Sequence, residues 1–336
     1  MKAIGFKSSL PITEADSFVE FEKEIPVPTG EQVLVKIEAI SVNPVDYKIR
    51  QNSLKGEIAD SPKIIGWDAV GTVQAIGEAV NLLTVGEKVY YAGDLTKDGC
   101  NQEYQLVDQN IAALAPENLT AAESAALPLT ALTVYELLYD RMRLEEENEQ
   151  GKSVLIIGGA GGVGSLAIQI CKKKFDLTVI ATASRDSSRE WCTKMGADFV
   201  VNHNDLVADM KSIGHDEVDY ILDFVDLNQY WDAIVQLIKP QGRIGSISDP
   251  KEPVNLRQLK GKSVSFHWEL MFTRAMFQTK DMGRQHDILN TIAEMIESEE
   301  IVTTVNTVLK GFNVDNLKEA HRQLESGTTI GKLVIE

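Results

Sequence analysis

Lys152-Ser153-Val154-Leu155-Ile156-Ile157-Gly158-Gly159-Ala160-Gly161-Gly162-Val163-Gly164, followed by Ser165-Leu166-Ala167-Ile168-Gln169-Ile170, is the stretch on which the reading of the chain turns. Val154 to Ile157 is a short apolar run rich in β-branched residues, the pattern of a parallel strand buried on both faces. Gly159, Gly161 and Gly164 then form Gly-x-Gly-x-x-Gly, and Val163, Leu166, Ala167 and Ile170 recur at helical spacing. On its own the glycine pattern is a weak signal. Here strand, turn and helix come in the order that a dinucleotide-binding turn needs. The first glycine permits the tight turn, the second lets backbone approach a pyrophosphate, and the third lets the helix pack on the strand. Gly159, Ala160, Gly161, Gly162, Val163 and Gly164 are therefore the candidate phosphate cradle.

Working outward from this turn, the chain alternates from residue 151 onward. Strands are expected at 153–157, 177–182, 198–201, 218–222 and 242–247, and helices at 162–174, 186–195, 204–212 and 229–238. That alternation predicts a doubly wound α/β domain with a parallel sheet. Upstream, residues 1 to about 125 read as short strands with glycine and proline turns, which suggests a compact, partly closed β barrel. A helix is expected from Ala121 to Tyr139, with Thr120 as N-cap and Glu123 completing a capping box. Residues 145–151 read as a solvated acidic turn. Beyond the alternating region come an apolar-aromatic loop from Phe266 to Phe277, helices at Arg284 to Ser298 and Asn313 to Ser326, and a terminal strand at Gly331 to Ile335.

A chain of 336 residues is long enough for two domains. Its formal charge of −17, from 33 basic and 50 acidic residues, argues against nucleic acid or an anionic membrane as the main partner. Cys100, Cys171 and Cys192 form no Cys-x-x-Cys pair, so neither a disulfide framework nor a cysteine-rich zinc lobe is expected. With no signal segment at the start and no apolar run of membrane-spanning length, the expected location is the cytoplasm.

Several further stretches share one source. Ser41-Val42-Asn43-Pro44-Val45-Asp46, Gly66-Trp67-Asp68-Ala69-Val70-Gly71, Gly86-Glu87-Lys88-Val89, the glycine turn, Met195-Gly196-Ala197-Asp198, Leu324-Glu325-Ser326-Gly327 and Gly331-Lys332 together resemble the medium-chain dehydrogenase/reductase superfamily. The resemblance implies a GroES-like β-barrel domain over residues 1–125, completed by 265–336, and a Rossmann NADP-binding domain over 126–264. Within the superfamily the chain is similar to the zinc-free quinone and enone oxidoreductases, in particular the zinc-type alcohol dehydrogenase-like group.

A catalytic zinc needs three protein ligands and one open position. In zinc-bearing relatives the first ligand stands where this chain has Asn43, the second where it has Trp67, and the third near Leu129. Tryptophan and leucine cannot bind zinc and asparagine is a poor ligand, so no metal is expected. Without a Lewis acid, alkoxide chemistry loses its stabilisation. Hydride delivery to an enone or quinone is less demanding, because the charge spreads onto an enolate or phenolate oxygen that hydrogen-bond donors can meet.

Specificity for NAD usually requires an acidic residue at the end of the second Rossmann strand. Here Ala183 takes that place, and Ser184 and Arg185 follow, offering a hydroxyl and a guanidinium to a 2′-phosphate. NADPH is thus the expected cofactor, with the neighbouring Asp186 expected to point away as a helix N-cap; the alternative is that Arg185 is a solvated loop cation. By resemblance alone, Asn43 and Thr133 flank the nicotinamide and His203 lies near the adenosine ribose-phosphate. Phe224, Val225, Ser246 and Ile247 end strands at the ligand-binding edge, Lys332 is a further cofactor candidate, and Lys48 faces cofactor or substrate. Lys48 reads equally as a surface lysine, and Asp46 reads as a structural acceptor before a base. The expected activity is NADPH-dependent reduction of a small apolar quinone or enone by a homodimer, with Lys48 and Asn43 as catalytic candidates. The competing readings are an NADPH-binding structural or regulatory protein without turnover and a zinc-dependent alcohol dehydrogenase.

Overall fold

The computed structural model describes all residues, Met1–Glu336. They form two compact units, one of Met1–Leu132 with Phe272–Glu336 and one of Thr133–Met271. The change-over falls at 132/133 and 271/272, not at the expected 125/126 and 264/265. One reason is that residues 265–268 form a sheet strand of the second unit instead of belonging to a loop.

The first unit opens with β1 (Lys2–Gly5), β2 (Val19–Glu22), β3 (Gln32–Val42), α1 (Pro44–Asn52) and β4 (Ala69–Ile76). β5 (Lys88–Tyr91), β6 (Tyr104–Asp108), β7 (Ala112–Leu114), α2 (Ala121–Ala125) and α3 (Pro128–Tyr135) follow. The expected helix over Ala121 to Tyr139 is therefore broken. Pro128 lacks the N–H that would continue it, and Glu136–Arg141 runs on as a π-helical segment. The Thr120–Glu123 capping box is present.

The second unit contains β8 (Ser153–Ile157), α4 (Gly162–Phe175), β9 (Thr178–Thr182), α5 (Asp186–Met195), β10 (Phe199–Val201), α6 (Leu206–Ser212), β11 (Val218–Asp223), α7 (Leu227–Leu237), β12 (Ile238–Ser246) and β13 (Ser265–Trp268). The chain then returns to the first unit with α8 (Thr273–Met276), α9 (Arg284–Glu297), β14 (Val305–Leu309), α10 (Val314–Glu325) and β15 (Lys332–Ile335).

The six strands of the second unit are ordered β10-β9-β8-β11-β12-β13, and each pair is parallel. β8 lies inside the sheet, and Val154 to Ile157 are fully buried. This is why that run carries no polar alternation; each such side chain contributes roughly 1.5–3 kcal/mol on burial. The order reverses between β8 and β11, the switch point at which such sheets take ligands. Phe266 to Trp268, expected as a loop, supplies most of the sixth strand, because Ser265 to Trp268 pair in register with Arg243 to Ser246.

In the first unit, seven strands form one sheet built around the eleven-residue β3. One half of β3 pairs with β6 (Gln32 to Lys36), while its end pairs with the last strand, β15 (Ile40 to Val42). β4 runs along β3 and aligns Ala69 with Ile40. This register decides which polar residues meet, as described next.

Candidate functional site

In the second unit, Gly158 follows β8 with φ +89° and donates its N–H to Thr182 Oγ1 at 3.0 Å. A Cβ on Gly159 would lie 2.7 Å from Ala181 Cβ, and one on Gly164 only 2.2 Å from the Gly158 carbonyl oxygen. Internal packing therefore demands glycine at both positions. Gly161 differs. Its backbone is extended (φ −74°, ψ 174°), and a Cβ there would be 3.6 Å from its nearest neighbour, an ordinary contact. Nothing inside the unit needs a glycine at 161, whereas a phosphate approaching from outside does. Gly161 is also the N-cap of the fourteen-residue α4 and supplies no side-chain cap, so the first-turn N–H groups are left for an anion. Ala160 to Val163 are partly exposed. The turn fits a dinucleotide pyrophosphate.

The loop after β11 meets this turn, since a Cβ on Gly158 would strike Val225 Cγ2 at 2.6 Å with Phe224 Cβ at 3.7 Å. Phe224 and Val225 thus stand at the switch point, as expected. Ser246 does not offer its side chain there. It is fully buried, and its hydroxyl donates to Asp223 Oδ2 at 3.0 Å, beside Ser248, which donates to the same oxygen at 2.5 Å. At Ser246 only backbone remains to face a ligand, while Ile247 is partly exposed and its N–H donates to the Asp223 carbonyl at 3.2 Å. At the end of β9, Ala183 is buried while Ser184 and Arg185 are exposed. Asp186 is not the N-cap of α5; Arg185 holds that position and its N–H donates to Ser188 Oγ at 3.2 Å. Arg189, which the sequence reading missed, donates to the carbonyls of Ala183 (3.2 Å) and Val200 (2.7 Å), binding the ends of β9 and β10 together. His203 packs edge-on against Tyr230, ring centres 6.4 Å apart. Thr133 is buried in α3.

In the first unit the sheet register gathers a polar cluster. β15 pairs Leu333 with Val42, which sets Lys332 beside Asn43, and Ser41 N donates to the Asp68 carbonyl at 2.9 Å. Lys332 Nζ donates to Asn43 Oδ1 and, at 2.8 Å, to Asp68 Oδ2. Asn43 Nδ2 donates to Asp68 Oδ2 at 2.9 Å, and Leu129 N donates to Asp68 Oδ1 at 2.7 Å. Asn43 N donates to Asp46 Oδ2 at 2.9 Å, which makes Asp46 the structural acceptor that was expected. Asn43, Asp46, Asp68 and Lys332 are all buried. Burial pushes Asp46 up to about 7, against the opposing pull of the Asn43 N–H and Lys332. Burial also raises Asp68, with Lys332 as the main counterweight.

This arrangement revises three assignments. Both ends of the Asn43 amide are bonded internally, so Asn43 acts first as a structural junction. The charge of Lys332 is directed at Asp68, not outward at a cofactor. Lys48 lies on the exposed side of α1, whereas Asp46 and Arg50, four residues apart on one helical face, are buried. Lys48 therefore stands apart from the cluster.

The residues do not fit a catalytic zinc. Asn43 Oδ1 already accepts from an ammonium, Trp67 is buried with its Nε1 donating to the Asp94 carbonyl at 3.4 Å, and Leu129 offers only its backbone. No group of three His, Cys, Asp or Glu side chains is placed to hold a metal.

A second buried charge cluster also escaped the sequence reading. Arg141 donates to Glu269 Oε2 at 2.8 Å and to Glu136 at 3.3 Å, tying the π segment to the end of β13. Burial, helped by Glu136, pushes Glu269 up to about 8. No spacing in the sequence announces it, since its members are 5 and 128 residues apart. Glu149, expected in a solvated turn, is buried and accepts from Lys152 Nζ at 2.8 Å and from the Tyr220 hydroxyl. No helix is long and apolar enough to cross a membrane.

Two family descriptions match: the alcohol dehydrogenase GroES-like domain over residues 29–123 and zinc-binding dehydrogenase over residues 195–335. The chain is 45% identical to a zinc-type alcohol dehydrogenase-like protein of Staphylococcus aureus (strain MSSA476), over 100% of this chain and 99% of the relative. It is 29% identical to the chloroplastic NADPH-dependent alkenal/one oxidoreductase of Arabidopsis thaliana, over 94% of this chain and 75% of that protein. Among solved structures, a protein from Rhizobium etli CFN 42 assigned to the zinc-dependent alcohol dehydrogenases superposes with a TM-score of 0.94 at 42% identity, over 100% of this chain and 98% of that one. The quinone oxidoreductase of Coxiella burnetii superposes with a TM-score of 0.80 at 26% identity, again over 100% and 98%.

Proposed function

This chain belongs to the medium-chain dehydrogenase/reductase superfamily, in its quinone and enone reductase branch, and from that premise we propose that it is an NADPH-dependent oxidoreductase that reduces small quinones or conjugated carbonyls without a catalytic metal. One observation supports the reading: Lys332 already donates to Asn43 and Asp68, and Trp67 and Leu129 stand where the resemblance puts the other two zinc ligands. Charge developing on a substrate oxygen must then be met by N–H donors, which suits an enolate or phenolate better than an alkoxide. The relatives named for alkenals, enones and quinones agree with this choice.

Bound NADPH would supply the hydride. The turn at Gly159 to Gly164 would hold the pyrophosphate against the N-terminus of α4, and Ser184 and Arg185 would hold the 2′-phosphate. Asn43, Thr133, His203, Phe224, Val225, Ile247 and the backbone of Ser246 remain proposed cofactor neighbours, and Lys48 the proposed donor to the substrate oxygen. A homodimer is part of the same proposal, supported by β13 as an open sheet edge with Trp268 half exposed beside it. Sedimentation at the mass of one chain would remove that part.

NADPH is expected to bind more tightly than NADH, and Arg185→Ala to weaken NADPH roughly tenfold to a hundredfold through loss of a charge-assisted contact. Equal affinity for both nucleotides in a fluorescence titration would rule this out. Steady-state assays test the reaction: turnover of small quinones or enones with NADPH is expected, with little oxidation of ethanol or benzyl alcohol. Lys48→Ala should lower kcat by roughly tenfold to a thousandfold if that donor acts in the transition state. An unchanged kcat removes only the role of the lysine. Tight NADPH binding with no turnover of any acceptor would favour the binding-protein reading.

A further inference from the structure

We propose that Lys332 is the permanent cation of the first unit's buried site, delivered by strand register to the place that zinc-bearing relatives give to their metal. Three segments far apart in sequence converge on Asp68. The β3–α1 junction arrives through Asn43 Nδ2 (2.9 Å), the first turn of α3 through Leu129 N (2.7 Å), and β15 through Lys332 Nζ (2.8 Å). A buried carboxylate needs a counter-charge, and in other proteins a metal ion can supply it. Here an ammonium does so.

The lysine also settles which way the Asn43 amide points. Its N–H donates to Asn43 Oδ1, so Nδ2 must turn to Asp68. Cys100 is no competing anion at this place; it is a buried thiol whose Sγ donates to the Asp68 carbonyl at 3.5 Å, and burial keeps it protonated. A divalent ion entering the cluster would meet an ammonium already bonded to two of its potential oxygen ligands. Lys332 thus neutralises Asp68, orients Asn43 and bars a metal. It is a positioning residue, acting through Asp68 and Asn43.

The test uses the intact chain, with Lys332→Met, Asp68→Asn and the double variant, each read by thermal melting and by elemental analysis after dialysis against zinc. The parent is expected to retain no stoichiometric zinc and to show no rise in Tm with it. Each single variant should melt about 10 °C lower, because one charge is left buried without its partner. The double variant should recover half or more of that loss, an outcome that shape alone would not produce. Should Lys332→Met not fold, the double variant decides: a folded double supports the proposal and an unfolded one overturns it. One tightly held zinc per parent chain, or a double variant whose loss equals the sum of the singles, also overturns it. These readouts are stability and metal content, so failure of the quinone and enone assay leaves the result standing, and the reverse holds too.

Discussion

Gly161→Val is expected to weaken NADPH binding on the order of a thousandfold, about 4 kcal/mol, while leaving the melting temperature near that of the parent. The backbone at 161 lies in an extended region open to any residue, and a Cβ there meets nothing closer than 3.6 Å. The added branches project into the space a pyrophosphate would use. Gly164→Val should behave in the opposite way. Its Cβ would sit 2.2 Å from the Gly158 carbonyl oxygen, so the turn itself must shift and the second unit should melt lower before any ligand is added. The pair separates a ligand's need for glycine from the chain's own. Calorimetric titration and thermal melting measure both, and a Gly161→Val protein that binds NADPH as well as the parent would show that the turn is not the cradle.

The second large effect concerns acid. His321 is fully buried on α10, edge-on to Phe18 at 4.9 Å, with neither ring nitrogen hydrogen-bonded. The nearby cation is Arg50, itself paired with Glu325. Burial first, and Arg50 second, hold the imidazole down at about 3 instead of 6.5. The unfolded chain therefore takes up a proton that the folded chain refuses. Stability is lost as pH falls from 6.5 toward 3, at about 1.4 kcal/mol per pH unit.

Asp46 acts with the opposite sign. Its folded value near 7 exceeds its ordinary 3.8, so the stability it contributes is lost as pH rises through that window. Between 3.8 and 6.5 the two slopes oppose each other. His321→Leu should uncouple them: the variant should gain on the parent steadily as pH is lowered from 6.5 to 4, and Asp46→Asn should gain on it as pH is raised from 4 to 8. Melting curves across pH decide this, and a His321→Leu protein that tracks the parent at every pH would refute the first half.

The parts that were legible in the sequence are those written in local spacing. β8, its glycine turn and α4 are contiguous, and their signals (a β-branched run, three glycines, a 3.6-residue period) need no knowledge of distant chain. The Thr120–Glu123 capping box is likewise a matter of four residues. What went unread depends on register. Lys332 and Asp68 lie 264 residues apart, and Arg141 and Glu269 lie 128 apart; only strand pairing brings each couple together. Phe266 to Trp268 was misread for a related reason. Three aromatic or imidazole residues near an edge carry little alternation, and their strand character comes from the neighbouring β12. Ser246 stood at the expected edge, but which way its hydroxyl turned was set by Asp223, on another strand.

The return of β15 to β3 has a consequence for how the protein is made. Asp68 leaves the ribosome 264 residues ahead of the lysine that neutralises it. At elongation rates of about 5–20 residues per second, the carboxylate waits roughly 13–50 s for its partner. During that interval the whole of Thr133–Met271 is synthesised and free to fold. The usual N-terminal-first order of folding is thus inverted, since the unit that begins first is completed after the other, by β15.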